Sequence, residues 1–113
     1  MGVDVELVRV EQLGTSPRRR REHEVAVVGD PLFRFAALLE RSQHAGRTPM
    51  LDRIDPYGSL ELTPAEMNQF LGELDVLAAL VEDIGERQVL DAVRGLAKRC
   101  LADPDLRLRF AGD

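Results

Sequence analysis

The amino-acid sequence predicts an α+β domain: a small antiparallel sheet packed against a C-terminal antiparallel helix pair, with one further helix near residues 31–43. Three observations predict it. Apolar and polar residues alternate with a period of two near both ends of the chain, from Val3 to Val10 and from Leu106 to Phe110. That is the pattern of half-buried strands. Apolar residues recur at spacings of three and four from Met67 to Val81 and again from Val89 to Leu101, the pattern of amphipathic helices. No βαβ alternation and no glycine-rich phosphate loop occurs, so a parallel sheet is not expected. A chain of 113 residues is read as a single domain, 1–113.

The first strand is placed at about 3–10, where Val3, Val5 and Leu7 alternate with Asp4 and Glu6. Leu13-Gly14-Thr15-Ser16-Pro17 is dense in turn residues and reads as a loop, continued by Arg18–Arg21. Glu24–Val28 is the second strand, antiparallel to the first. Gly29-Asp30-Pro31 signals a helix start, because Asp30 is suited to cap free N–H groups and Pro31 loses no useful hydrogen bond at the first position. The helix carries Leu32, Phe35, Ala36 and Leu39 on one face and ends at Ala45-Gly46.

Asp55-Pro56-Tyr57-Gly58 is a β-turn signature. Asp bonds backbone nearby, Pro presets φ, and Gly accepts a positive φ. Ser59–Leu62 is predicted as a strand after this turn, with Met50–Ile54 as the strand before it. Thr63-Pro64-Ala65-Glu66 is a capping box with Pro at the first helical position. It opens a helix predicted over 64–81. A second follows over about 86–102 with a stripe of Val89, Val93, Leu96 and Cys100, and the short link makes the pair an antiparallel hairpin. Asp103-Pro104 ends it, and Leu106, Leu108 and Phe110 form the closing strand.

The charge balance narrows the function. The formal net charge is −5 at pH 7, opposite to what phosphate neutralisation requires, so nucleic acid is not an expected partner. An arm at Arg18–Arg21 is kept as an alternative, although no aromatic residue is interleaved there. One cysteine, Cys100, excludes an internal disulfide and a thiolate metal site. No run of apolar residues suits a signal peptide or a membrane span, so a reducing cytoplasm is expected and a membrane partner is not. Basic residues are fourteen Arg and one Lys, a bias toward GC-rich codons that points to a high-GC bacterial genome.

Catalytic constellations are missing. His23, His44 and Cys100 share no ligand spacing and no nucleophile–base spacing. No metal and no cofactor are expected. Asp52, Asp55, Tyr57 and Glu61 cluster around the turn and would suit a small ligand or acid–base work if brought into one cleft. Outward positions of the helix pair, Glu73, Glu82, Asp83, Glu86 and Asp91, are expected to form an acidic band suited to a basic partner.

The stretch LDRIDPYGSLELTPAEMNQFLGEL (51–74) and the closing LRLRFAGD (106–113) resemble short uncharacterised proteins of high-GC Gram-positive bacteria. That group has no activity to transfer. The reading drawn from the residues is a non-catalytic protein-binding module, immunity-type or regulatory. Its expected contact residues are Asp52, Asp55, Tyr57, Glu61, Glu66, Asn68 and Gln69. Two apolar stripes over one small sheet also predict an uncovered hydrophobic face and a homodimer.

Overall fold

The structure is a computed structural model that describes residues 2–12 and 20–112. Four strands form one antiparallel sheet in the order β2-β1-β4-β3. They are β1 (Val3–Gln12), β2 (Arg20–Val28), β3 (Ser59–Leu62) and β4 (Leu106–Gly112). The helices are α1 (Arg34–Ala45), α2 (Met67–Ala78) and α3 (Ile84–Ala102). The α+β architecture, with the C-terminal helix packed on the sheet, is the one the sequence predicts.

Alternation decides which face of the sheet is covered. Val3, Val5 and Leu7 of β1, Leu106, Leu108 and Phe110 of β4, and Leu62 of β3 are buried in one core. The helices supply Phe35, Leu38, Met67, Phe70, Leu74, Leu77, Leu90, Val93, Ala97 and Cys100 from the other side. Phe70 of α2 meets Phe110 of β4 with ring centroids 5.4 Å apart at 54°, a tilted aromatic contact. The opposite face carries Asp4, Glu6, Glu61, Arg107 and Arg109, with Glu6 and Glu61 as the cross-strand neighbours of Arg109. Arg109 bridges Glu22 (2.6 Å) and Glu61 (3.1 Å) across it. Val8 is buried on this face, with Arg107 and Glu24 as its cross-strand neighbours.

Several elements differ from the sequence reading. β2 begins at Arg20, so the basic run at Arg20–Arg21 enters the sheet; Arg18 and Arg19 lie outside the described residues. A bulge opposite Leu7–Val8 shifts the register of β2, with Leu7 opposite Ala26 and Val8 opposite Glu24, so that Val25 is the extra residue. Met50–Ile54 is not a strand. Leu51–Arg53 is a single 3-10 turn, and β3 pairs with β4. The helix hairpin returns the chain to the side of β3, so the closing strand takes the place that a local hairpin would have filled. α2 ends at Ala78, three residues early, where Ala79 and Leu80 close a turn on Val76 and Leu77.

α1 starts at Arg34, not Pro31. Pro31–Phe33 form a turn, and Phe33 stands in the left-handed region at φ 58°. Asp30 still caps the helix. Its buried carboxylate accepts from the N–H groups of Phe35 (2.9 Å) and Ala36 (3.0 Å), and also from Val3 (3.1 Å). One side chain thus joins the start of β1 to the start of α1. Gly2 must be glycine beside it, because a Cβ there would stand 2.4 Å from the Asp30 carbonyl oxygen.

The acidic band dissolves. Glu73 and Glu86 are buried at 6% and 4% exposure, while Glu82, Asp83 and Asp91 are exposed. Most of the two apolar stripes is buried in the core, with Leu71, Ala78, Val81 and Val89 partly buried and Leu101 at the end of α3 exposed. The most exposed large apolar residues are Leu32, Phe33, Tyr57 and Ile84.

Candidate functional site: the groove beside the Asp55–Gly58 turn

A groove of about 370 Å³ runs between α1 and the turn before β3. Ala36, Leu39, Glu40 and Gln43 line one side. They are spaced i, i+3, i+4 and i+7, so they form one stripe along the helix. Ile54, Pro56 and Tyr57 line the other side, and Val3 closes one end. The floor is apolar, Glu40 and Gln43 are exposed, and Tyr57 is 71% exposed.

Local chemistry holds the turn rigidly. Gly58 N–H donates to the Asp55 carbonyl (3.1 Å), and Tyr57 N–H donates to the Asp55 carboxylate (2.8 Å). This is a β-turn reinforced by an Asx turn. Gly112 N–H donates to the Gly58 carbonyl at 2.8 Å and so fastens the turn to β4. That approach requires glycine, since a Cβ on Gly112 would lie 2.1 Å from the Pro56 oxygen.

The segment before the turn hangs from Glu73. Its carboxylate accepts from Met50 N–H (3.0 Å), Leu51 N–H (2.9 Å) and the Gln69 side-chain amide (3.0 Å). The Ser42 and Thr48 hydroxyls bond each other, and Thr48 donates to Asp52 at 3.2 Å. These bonds tie the 3-10 turn to α1 and α2 and set where Ile54 to Tyr57 stand.

The expected contact residues therefore separate. Asp55 and Tyr57 build the turn beside the groove. Asp52 accepts from Thr48. Glu61 is on the open sheet face, paired with Arg109. Glu66 caps α2, accepting from Thr63 N–H at 3.0 Å, and pairs with Arg53 at 3.5 Å. The Thr63 N–H bond above all, with help from Arg53, holds its carboxyl below the usual range against its desolvation. Gln69 and Glu66 line a separate hollow of about 330 Å³ with Arg53 and Met50. Asn68 is exposed on α2. Asp52, Asp55 and Glu61 do not share one cleft.

Two groups were absent from that expectation. Glu73 lies three residues after Phe70 and four before Leu77, so its place on the buried stripe was readable. Glu86 follows the N-cap Asp83 at capping-box spacing, but its partner Arg41 is 45 residues away. Glu86 accepts from Arg41 at 2.7 and 2.5 Å and from Glu82 N–H at 2.8 Å. The Arg41 bonds hold its carboxyl below the usual range despite burial.

The nucleophile candidates stay apart. Cys100 is buried on α3, and desolvation pushes its thiol up to about 11, far from a reactive thiolate. His23 is on β2, 3.8 Å from Glu11, and His44 is in the last turn of α1. Among the described residues no three His, Cys, Asp or Glu side chains are grouped to hold a metal ion. No helix there is long and apolar enough to cross a membrane. No protein-family model, no curated protein and no solved structure matches this chain.

Proposed function

We propose that this chain is a protein-binding module, immunity-type or regulatory, that takes a partner segment in the groove between α1 and the Asp55–Gly58 turn. One observation carries the reading: the sole tyrosine of the chain is 71% exposed, yet it stands on a turn braced by three hydrogen bonds beside an apolar-floored groove. Tyr is a frequent anchor in interfaces, because it offers a large contact area and a polar tip at small entropic cost. A rigid turn gives the ring a fixed position before binding, which lowers the cost of association. Glu40 on the groove wall and the net charge of −5 favour a basic partner, through steering more than affinity. A cytoplasmic site of action fits the buried, unreactive cysteine.

Site-specific photo-crosslinking tests this. A benzophenone side chain placed at Tyr57 or Gln43 should give the same discrete protein adduct in the producing cell, and one placed at Gln88 on exposed α3 should not. Equal labelling at all three positions, or no adduct at any, contradicts the reading.

A further inference from the structure

Two walls of unlike chemistry border the groove beside the Asp55–Gly58 turn. Tyr57 stands on one and Glu40 on the other, and both are exposed. Between them the lining is aliphatic: Leu39 and Ile54 are buried and Ala36 is half-buried. A side chain lying there meets apolar carbon along its length, with an aromatic ring and a carboxylate near its tip.

Glu40 is the unusual member. Other acidic side chains on and beside the helices are already paired: Glu66 with Arg53, Asp75 with Arg94, and Glu82 and Glu86 with Arg41. Glu40 makes no ion pair and no side-chain hydrogen bond among the described residues. Its neighbour Arg41 is taken up by Glu86 and the Leu80 carbonyl. No Arg or Lys lines the groove, so Glu40 brings the one formal charge to its lining among the described residues. The chain as a whole adds −5. Charge complementarity therefore selects a cation.

The remaining lining chooses between cations. A guanidinium is planar and weakly hydrated, stacks on aromatic rings, and offers a fork of N–H donors that matches a carboxylate. An ammonium is compact and strongly hydrated, so it loses more on leaving water. The aliphatic stem of an arginine suits the apolar lining. Gln43, three residues after Glu40, offers a side-chain carbonyl to a further N–H. The openness of the groove chooses the carrier. With Tyr57 71% exposed, a small free guanidinium compound would stay largely in water, whereas a small-molecule site buries most of its ligand. We propose, building on the protein-binding role above, that the groove recognises an arginine side chain of the partner protein. Its stem lies along Leu39 and Ile54, and its guanidinium lies between Tyr57 and Glu40.

NMR titration of the isotope-labelled full chain with a blocked Gly-Ser-Arg-Ser-Gly peptide, at millimolar concentration, tests this. Backbone amides of Leu39, Glu40, Gln43 and Tyr57 should shift saturably. Lysine in place of the arginine should bind about two-fold more weakly or less, as the stacked fork is lost. Citrulline, the neutral isostere, should bind about three- to five-fold more weakly, which is what an exposed ion pair contributes at most. Glu40 is exposed, so Glu40→Gln should keep the fold, and in that variant arginine and citrulline should bind alike. Absent shifts, shifts confined to other surfaces, or equal binding of arginine and citrulline to the parent chain overturns the inference. A preference for arginine that survives Glu40→Gln overturns it too. The protein-binding role fails separately, on the absence of adducts at Tyr57 and Gln43. Adducts there, with a groove that ignores the arginine peptide, leave that role standing and sink the arginine site alone.

Discussion

Replacing Glu73 with Ala tests how the groove is held in place. The carboxylate is 6% exposed and accepts from two backbone N–H groups and one side-chain amide. A hydrogen bond to a charged group contributes about 1.5–3 kcal/mol, and a buried donor left unpaired costs about 1–3 kcal/mol. The contributions overlap, and water entering the space left by the side chain recovers part of the loss. A net cost of about 3 kcal/mol follows, a large share of the ~5–15 kcal/mol a domain has to lose. Urea unfolding should show a lower midpoint with an unchanged slope, and Tm should fall by roughly 10–15 °C. Glu73→Gln keeps one acceptor oxygen and should lose about half as much. Amide exchange supplies the local readout: Met50 and Leu51 should exchange faster in Glu73→Ala before the rest of the chain opens. A loss below ~1 kcal/mol, or unchanged protection at Met50 and Leu51, would refute this account of the loop.

Other outcomes follow from the same contacts. Glu66 and Glu86 titrate below their ordinary value of 4.5 in the folded chain, so their stabilisation is complete above that value and is lost as pH falls through it toward their folded values. The urea midpoint should therefore hold between neutrality and mildly acid pH and drop below 4.5, and Glu86→Gln should flatten part of the drop. Gly112→Ala drives a methyl into the Pro56 carbonyl and should cost about 2–3 kcal/mol, read as a lower Tm; no change would mean that β4 and the turn are not in contact. Cys100, buried with its thiol raised to about 11, should resist aromatic disulfide reagents in the native chain and react at once in denaturant. Rapid native labelling would contradict its burial.

Much of the fold was legible because it rests on local pattern. The capping box at Thr63–Glu66 and the stripe from Met67 to Leu77 locate α2 from sequence alone. Alternation locates β1 and β4 in the same way. Met50–Ile54 was misread because an apolar run of that length suits a strand, a 3-10 turn or a helix equally, and its arrangement is decided by Glu73, more than twenty residues later in the chain. The start of α1 was misplaced because Asp30 caps from a distance, across the Pro31–Phe33 turn. The candidate site was legible as a turn but not as a groove. Tyr57 could be singled out, yet its opposite wall is a stripe of α1 that only tertiary structure brings alongside. Glu61 and Glu66 looked like neighbours of Tyr57 in sequence, but Glu61 points from β3 to the open sheet face and Glu66, past the end of that strand, caps the helix.

The central claim is that the groove and its exposed tyrosine bind a partner protein. The most direct measurement compares Tyr57→Ala with the parent chain on two axes, unfolding midpoint and retention of the crosslinked partner. Tyr57 is mostly in water and its side chain adds little to the core, so the midpoint should stay within about 0.5 kcal/mol of the parent, while partner retention should fall by ten-fold or more. Equal retention at equal stability would contradict the account.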